Sequence, residues 1–190
     1  MRVAGKVALI SGGAGGIGAA TAKLLAEEGA AVVIADLLED EGRATEAMIA
    51  ESGGKAIFVN LDVASEDSWD NAVRAAVSSF GKVDILVNNA GVSLRFGVEQ
   101  TSAQEWDAVM DVNVKGVFLG TKAAILEMRK SGGGSIINIS SIYGLVGSGT
   151  SAAYHASKGA VRVFKSPLPS STPLRTFGPI RSTPASSPPR

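Results

Sequence analysis

Lys6-Val7-Ala8-Leu9-Ile10-Ser11-Gly12-Gly13-Ala14-Gly15-Gly16-Ile17-Gly18 is an apolar run that breaks into glycines and re-emerges as a helical pattern. Lys6 to Ser11 reads as a strand, and Ile17 to Glu28 as a helix closed by Gly29. The glycines between them fit two spacings. Gly13, Gly15 and Gly18 satisfy G-x-G-x-x-G, while Gly12, Gly16 and Gly18 satisfy G-x-x-x-G-x-G. In either case the missing side chains let the backbone approach a pyrophosphate, and the helix N-terminus offers amide donors and a positive dipole. A tight strand–helix connection alone would also use such a turn. Asp36 shifts the balance, because it ends the next strand eighteen residues after Gly18, where a carboxylate accepts from the adenosine ribose hydroxyls. It would also repel a 2′-phosphate, so NAD is expected rather than NADP.

The alternation continues along the chain. Ala31 to Asp36 is the second strand, Glu39 to Ser52 a helix ending at Gly53-Gly54, and Ala56 to Leu61 the third strand. Ser65 caps a helix that runs to Phe80 and stops at Gly81, and Ile85 to Val87 leads into Asn88-Asn89-Ala90-Gly91. Ser102-Ala103-Gln104-Glu105 fits a capping box, so one helix starts there, and a second, longer one is expected from about Asn113 to Lys130. Gly132 to Gly134 ends it, Ser135 to Ser140 is the fifth strand, and the loop Gly144 to Ser151 leads to a helix carrying Tyr154. Short strands alternating with amphipathic helices predict an α/β fold, an open doubly wound, Rossmann-like parallel sheet with right-handed crossovers. Asp62-Val63 and Asn88 to Gly91 would then lie at carboxyl ends of strands, where such sheets bind ligands. Taken singly, each is better explained as turn chemistry, because Asn, Asp and Gly dominate turns.

The 190 residues suffice for one such domain, and 45% hydrophobic with 19% charged residues is ordinary for a soluble globular chain. A net charge of zero gives no reason to expect nucleic acid or an anionic membrane as partner. Cysteine is absent, so disulfides and thiolate metal sites are excluded, and no metal site is expected. The aliphatic run Ala30 to Ala35 is too short to span a bilayer, and glycines interrupt the N-terminus before a signal-peptide core forms. Cytoplasmic location is therefore the expectation.

In Tyr154-His155-Ala156-Ser157-Lys158 the phenol and the amine stand one helical turn apart, and Ser141 lies thirteen residues upstream of the tyrosine. A phenol titrates near pH 10 when unperturbed, and bringing it to roughly 7 takes about 4 kcal/mol. A lysine on the same helix face favours the phenolate, and a bound oxidised nicotinamide would add to the effect. The spacing is an acid–base device provided a cofactor lies beside it. His155, the only histidine, points about 100° away on the helix and is not expected to take part. If the strand persists through Ser140, only one of Ser140 and Ser141 faces the site, and the spacing selects Ser141. Asn113 alone reads as a helix-start residue. Trp69 and Trp106 fall in amphipathic helices and read as core or interface.

The glycine turn, Asp36, Asp62-Val63, Asn88 to Gly91, Asn113, Ser140-Ser141 and Tyr154-x-x-x-Lys158 together resemble the short-chain dehydrogenase/reductase family over about residues 5–164, with Ser11 where threonine is usual. The resemblance implies that Tyr154 exchanges a proton with the substrate oxygen and that Ser141 hydrogen-bonds that oxygen. Lys158 would hold the nicotinamide ribose and tune the tyrosine, and Asn113 would position a relay water. Cofactor contacts are implied from Ser11, Gly12, Gly16, Ile17, Gly18, Asp36, Asp62, Val63, Asn89, Ala90 and Gly91, as well as from Tyr154 and Lys158. The implied activity is NAD-dependent hydride transfer to or from a secondary alcohol or ketone, in a homodimer or homotetramer. Two alternatives stand beside it: a non-catalytic dinucleotide-binding module, and an interaction protein that uses a basic tail. The residues expected to line the pocket, Val92 to Phe96 and Ile142 to Thr150, suggest a modest, fairly neutral substrate, without naming it.

That tail begins abruptly. Residues 1–164 hold 14 of the 18 Lys and Arg and all 18 acids, whereas residues 165–190 hold four bases, no acid and all seven prolines. The sequence predicts two parts: a dinucleotide-binding and catalytic domain over 1–164, lacking the family's C-terminal strands, and an irregular Pro/Ser/Thr-rich segment over 165–190. Pro167 and Pro169 should end the Tyr154 helix by about Ser166. Three origins compete for the segment. A reading-frame change near Phe164 or Lys165 is favoured by the abrupt switch. A natural tail that recruits a Pro-binding module is disfavoured, because no two prolines have P-x-x-P spacing. A boundary of the cloned segment is the third. The fifth strand would be left as a hydrophobic edge, so low stability and weak or absent turnover are expected.

Overall fold

A computed structural model of the chain describes residues 1–164. The expectations for residues 165–190 therefore lie outside the described residues. Five parallel strands form one sheet in the order β3-β2-β1-β4-β5, with β1 Val7–Ser11, β2 Ala31–Asp36, β3 Lys55–Asn60, β4 Ile85–Asn88 and β5 Ser135–Asn138. This is the doubly wound Rossmann-like sheet predicted from the alternation. Because β1 lies between β2 and β4, the strand order reverses there, and the loops leaving β1 and β4 part to open a crevice at their carboxyl ends.

Helices cover both faces, which explains why the strands are apolar throughout instead of alternating. Leu9, Val33, Leu86 and Ile136 point to one face and join a core with Trp69, Ala72 and Ala76 of α3 (Glu66–Phe80) and Leu119, Ala124 and Met128 of α5 (Gly116–Lys130). Ala8, Ile10, Val32, Ile34, Ile85 and Val87 point the other way, onto Ala22 of α1 (Gly16–Glu27) and Ile49 of α2 (Glu39–Glu51). Trp69 is fully buried and its indole N–H donates to the Val63 carbonyl at 3.0 Å. Trp106, expected in a core or interface, is 39% exposed and outside both clusters.

Helix ends follow local chemistry. Ser65 caps α3 by accepting from the Ser68 amide, and Gly81 closes it in the left-handed conformation. The Ser102–Glu105 capping box is present at the start of α4 (Ala103–Met110). One expectation fails here. Instead of a new helix starting near Asn113, the chain passes from α4 to α5 through a π-turn, Asp111–Lys115, in which the Gly116 amide donates to the Asp111 carbonyl. No proline or glycine separates Met110 from Lys115, so the helix is not broken. It widens by one residue and turns Asn113 fully inward. Helix α6 (Ala152–Val163) ends at Phe164, whose backbone is extended. Among the described residues, no helix is long and apolar enough to cross a membrane.

Candidate active site

The glycine turn is a backbone construction. Gly12 adopts φ +67°, and a Cβ there would come within 2.8 Å of both Ala90 Cα and Asn89 Nδ2. A Cβ on Gly18 would overlap the Gly12 carbonyl, so α1 starts directly against the turn. Ser11 ties this turn to the loop after β4. Its Oγ accepts from the Asn89 and Ala90 amides at 3.1 and 3.2 Å, and the Asn89 side chain donates to the Ser11 and Gly12 carbonyls. At Gly15 and Gly16, by contrast, a Cβ would meet nothing within 4 Å, and no side chain caps the helix. Ile17, beside them, is 54% exposed. Asp36 is held at the end of β2, where its two oxygens accept from the Ala14 amide at 3.0 Å and the Leu38 amide at 3.2 Å. Asp62 caps the turn after β3 by accepting from the Ala64 amide, and Val63 is buried beneath Gly116.

Across the crevice, α6 brings Tyr154 and Lys158 to the end of β5. Lys158 is 5% exposed, and its ammonium donates to the Ile139 carbonyl at 2.8 Å and lies 5.7 Å from the centre of the Tyr154 ring. Burial lowers its pKa from 10.5 to about 8. Gly91 leaves room for it: a Cβ there would stand 3.3 Å from Lys158 Nζ and 3.2 Å from Asn113 Oδ1. The two serines are used differently. Ser140 Oγ donates to the Lys158 carbonyl at 2.8 Å, tying β5 to α6, while Ser141 Oγ accepts from the Tyr143 amide at the start of a 3₁₀ turn, Ile142–Gly144. Asn113 faces inward, and its side chain is taken up by Val92 N, Val92 O and Ser157 Oγ at 2.8 to 2.9 Å. His155 turns to the loop: its ring stands 4.5 Å from that of Tyr143, and it contacts Ser148.

Comparison with known proteins adds the family. The profile of the short chain dehydrogenase family matches residues 6–172. The chain belongs to the short chain dehydrogenase family. The match runs eight residues beyond Phe164, into positions outside the described residues. The chain is 50% identical over 163 residues to the cyclopentanol dehydrogenase of Comamonas testosteroni, covering 86% of this chain and 65% of that protein. It is 55% identical over 167 residues to the trans-4-hydroxycyclohexanecarboxylate dehydrogenase of Sinomonas cyclohexanicum, covering 85% and 64%. With the 3-alpha-(or 20-beta)-hydroxysteroid dehydrogenase of Mycobacterium tuberculosis it shares 47% over 161 residues, covering 85% and 61%. The chain thus spans just under two thirds of the length of these curated relatives.

The residues at hand fit a dinucleotide. The start of α1 carries neither a capping side chain nor an acid in its first turn, and the space over Gly15 and Gly16 is open, so its amides face a void suited to an anion. Several contacts that shape the site were not read from the sequence. Ser157 and the Ile139 carbonyl bind Asn113 and Lys158 directly. Asn88, read as turn chemistry, is 3% exposed, and its amide donates to Asn138 at 2.8 Å and Thr121 at 3.2 Å, bracing the ends of β4 and β5. The Phe96 carbonyl accepts from the Ser151 and Ala152 amides, which gives α6 its N-terminal cap from the opposite loop. Only Ser157 left a signal, since it stands three residues after Tyr154 on the same helix face.

Proposed function

We propose that this chain is an NAD-dependent oxidoreductase that interconverts a secondary alcohol and its ketone. The observation that carries the proposal is the buried ammonium of Lys158 lying over the Tyr154 ring beside Gly91. Nicotinamide dinucleotide, when bound, supplies the hydride acceptor or donor. The amides of the Ser11–Gly18 turn and of the start of α1 would hold its phosphates, with Ile17 alongside. Asp36 would take the adenosine ribose hydroxyls and disfavour a 2′-phosphate, which is why NAD is proposed over NADP. Asp62, Val63, Asn89, Ala90 and Gly91 would line the crevice at the ends of β3 and β4.

Tyr154 passes a proton to or from the substrate oxygen, and Ser141 orients that oxygen by a hydrogen bond. Lys158 places a positive charge beside the phenol and binds ribose hydroxyls of the nicotinamide side. A relay water beside Asn113 would be held by that residue's backbone, since its side-chain amide is occupied by Val92 and Ser157. The substrate class proposed is an alicyclic secondary alcohol. Exposed apolar side chains of Val92, Phe96, Ile142, Tyr143 and Leu145 line the loops around the site, and the relatives named above are called dehydrogenases of ring alcohols.

The test uses the 190-residue chain with NADH titration by fluorescence and cyclopentanol oxidation followed at 340 nm. NADH is expected to bind, and Tyr154→Phe is expected to retain binding while turnover falls about 10²- to 10⁴-fold, the usual worth of a positioned general acid–base. Failure to bind NADH sinks the proposal outright. Binding without wild-type turnover leaves a dinucleotide-binding module instead.

A further inference from the structure

We infer that Ser157 is a positioning residue of this site: its hydroxyl locks the helical turn bearing Tyr154 and Lys158 to the π-turn at Asn113. The inference deepens the proposed function and rests on it for its consequence to turnover. Ser157 is 0% exposed, donates to the Tyr154 carbonyl at 2.8 Å and accepts from Asn113 Nδ2 at 2.9 Å. The second amide hydrogen of Asn113 goes to the Val92 carbonyl, and its oxygen takes the Val92 amide. One hydroxyl and one amide therefore tie together three segments far apart in sequence: the loop after β4, the π-turn and α6.

Helix formation alone does not call for serine here. Alanine has the higher helical propensity, and a serine bonded back to a carbonyl in the preceding turn slightly destabilises a helix. A buried hydroxyl is tolerated when both its donor and its acceptor are satisfied, and Asn113 supplies the second partner. The clearance around the amine makes the lock matter. Lys158 Nζ and Asn113 Oδ1 both lie close over Gly91, 3.3 and 3.2 Å from where a Cβ would stand, so a slip of α6 against the π-turn changes the surroundings of the amine. On its other side α6 is tied to β5 through Ser140 and Ile139, which leaves Ser157 as its side-chain hydrogen bond to the π-turn among the described residues.

The test is competitive acetylation of lysines by acetic anhydride on the 190-residue chain, read by mass spectrometry residue by residue. Ser157→Ala is expected to raise Lys158 labelling about fivefold or more, the scale of one lost buried hydrogen bond, with Lys23, Lys55 and Lys130 unchanged. Asn113→Ala is expected to do the same, and the double variant to add nothing further. Unchanged Lys158 labelling in folded Ser157→Ala, an additive double variant, or a uniform rise at all lysines overturns the inference. If Ser157→Ala does not fold, Ser157→Cys, which keeps a weak acceptor, carries the same comparison with a smaller rise. NADH binding and turnover are scored separately on the same proteins. A wild type without turnover therefore counts against the proposed activity, while the labelling pattern still decides the role of Ser157.

Discussion

In the Ser11–Gly18 turn nearly everything that matters is backbone; around Lys158 nearly everything is side chain. The turn depends on a left-handed glycine, on a helix start pressed against a carbonyl, and on open space where side chains are missing. The lysine cluster depends on buried polar atoms that find partners on four separate segments: Gly91-Val92, Asn113, Ile139-Ser140 and α6. Both lie at the carboxyl ends of one sheet. The first fails when an atom is added, because the backbone has nowhere to go. The second fails when an atom is removed, because a buried donor or charge loses its partner.

Four expectations sharpen this contrast below the effect of Tyr154→Phe. The largest concerns Lys158 and pH. Its pKa is lowered from 10.5 in the unfolded chain to about 8 in the fold, so between those values the unfolded state holds more protons. The penalty for burying the charge is fully present below pH 8 and is relieved as pH rises toward 10.5. Urea unfolding of the wild type against Lys158→Met should therefore show a relative gain for the wild type of up to about 3 kcal/mol across that window, at 1.36 kcal/mol per unit. A flat difference from pH 7 to pH 10 would contradict it.

Next comes Gly18→Ala, which forces α1 away from the Gly12 carbonyl and is expected to cost about 1–3 kcal/mol as overpacking does. NADH affinity should fall with it, and an unaltered affinity would show that the turn is slack. Asp36→Ala should shift preference toward NADPH by about tenfold, roughly 1.4 kcal/mol, measured as the ratio of the two dissociation constants. The smallest effect is expected at the far end of the sheet. Asp84 is buried there, which pushes its carboxyl up, yet the Lys82 ammonium, the Val7 amide and Lys6 outweigh this and hold it below the ordinary value. Asp84→Asn should cost about 1 kcal/mol, because the amide oxygen still accepts from Val7 while two partly exposed ion pairs are lost. NADH binding should not change, so the site and this staple are expected to be independent.

The fold was legible because its signals are local. Apolar runs, glycine stops and the Ser102–Glu105 box set four of the five strands and the starts of α1 to α4 to within a residue. The π-turn was not legible: an extra residue in a helical turn leaves the apolar period nearly unchanged, so Asn113 looked like the start of a new helix. β5 was drawn two residues too long, since Ile139 still donates to the Asn88 carbonyl after regular pairing ends. In the site, residue types and spacing marked Tyr154, Lys158 and Asp36. The partners of Lys158 were hidden because two of them, the Ile139 carbonyl and the clearance at Gly91, involve no side chain at all.

By itself the sequence determined the order of strands and helices, the glycine turn and the pairing of phenol with amine one turn apart, because these follow from neighbours along the chain. Only the tertiary structure decided that the amine is buried against Ile139, that Asn113 is held by Val92 and Ser157, and that the Phe96 carbonyl caps the helix of Tyr154. Those contacts join residues 19 to 56 positions apart. They exist because the parallel sheet brings the ends of β4 and β5 together, a closeness that no local pattern encodes.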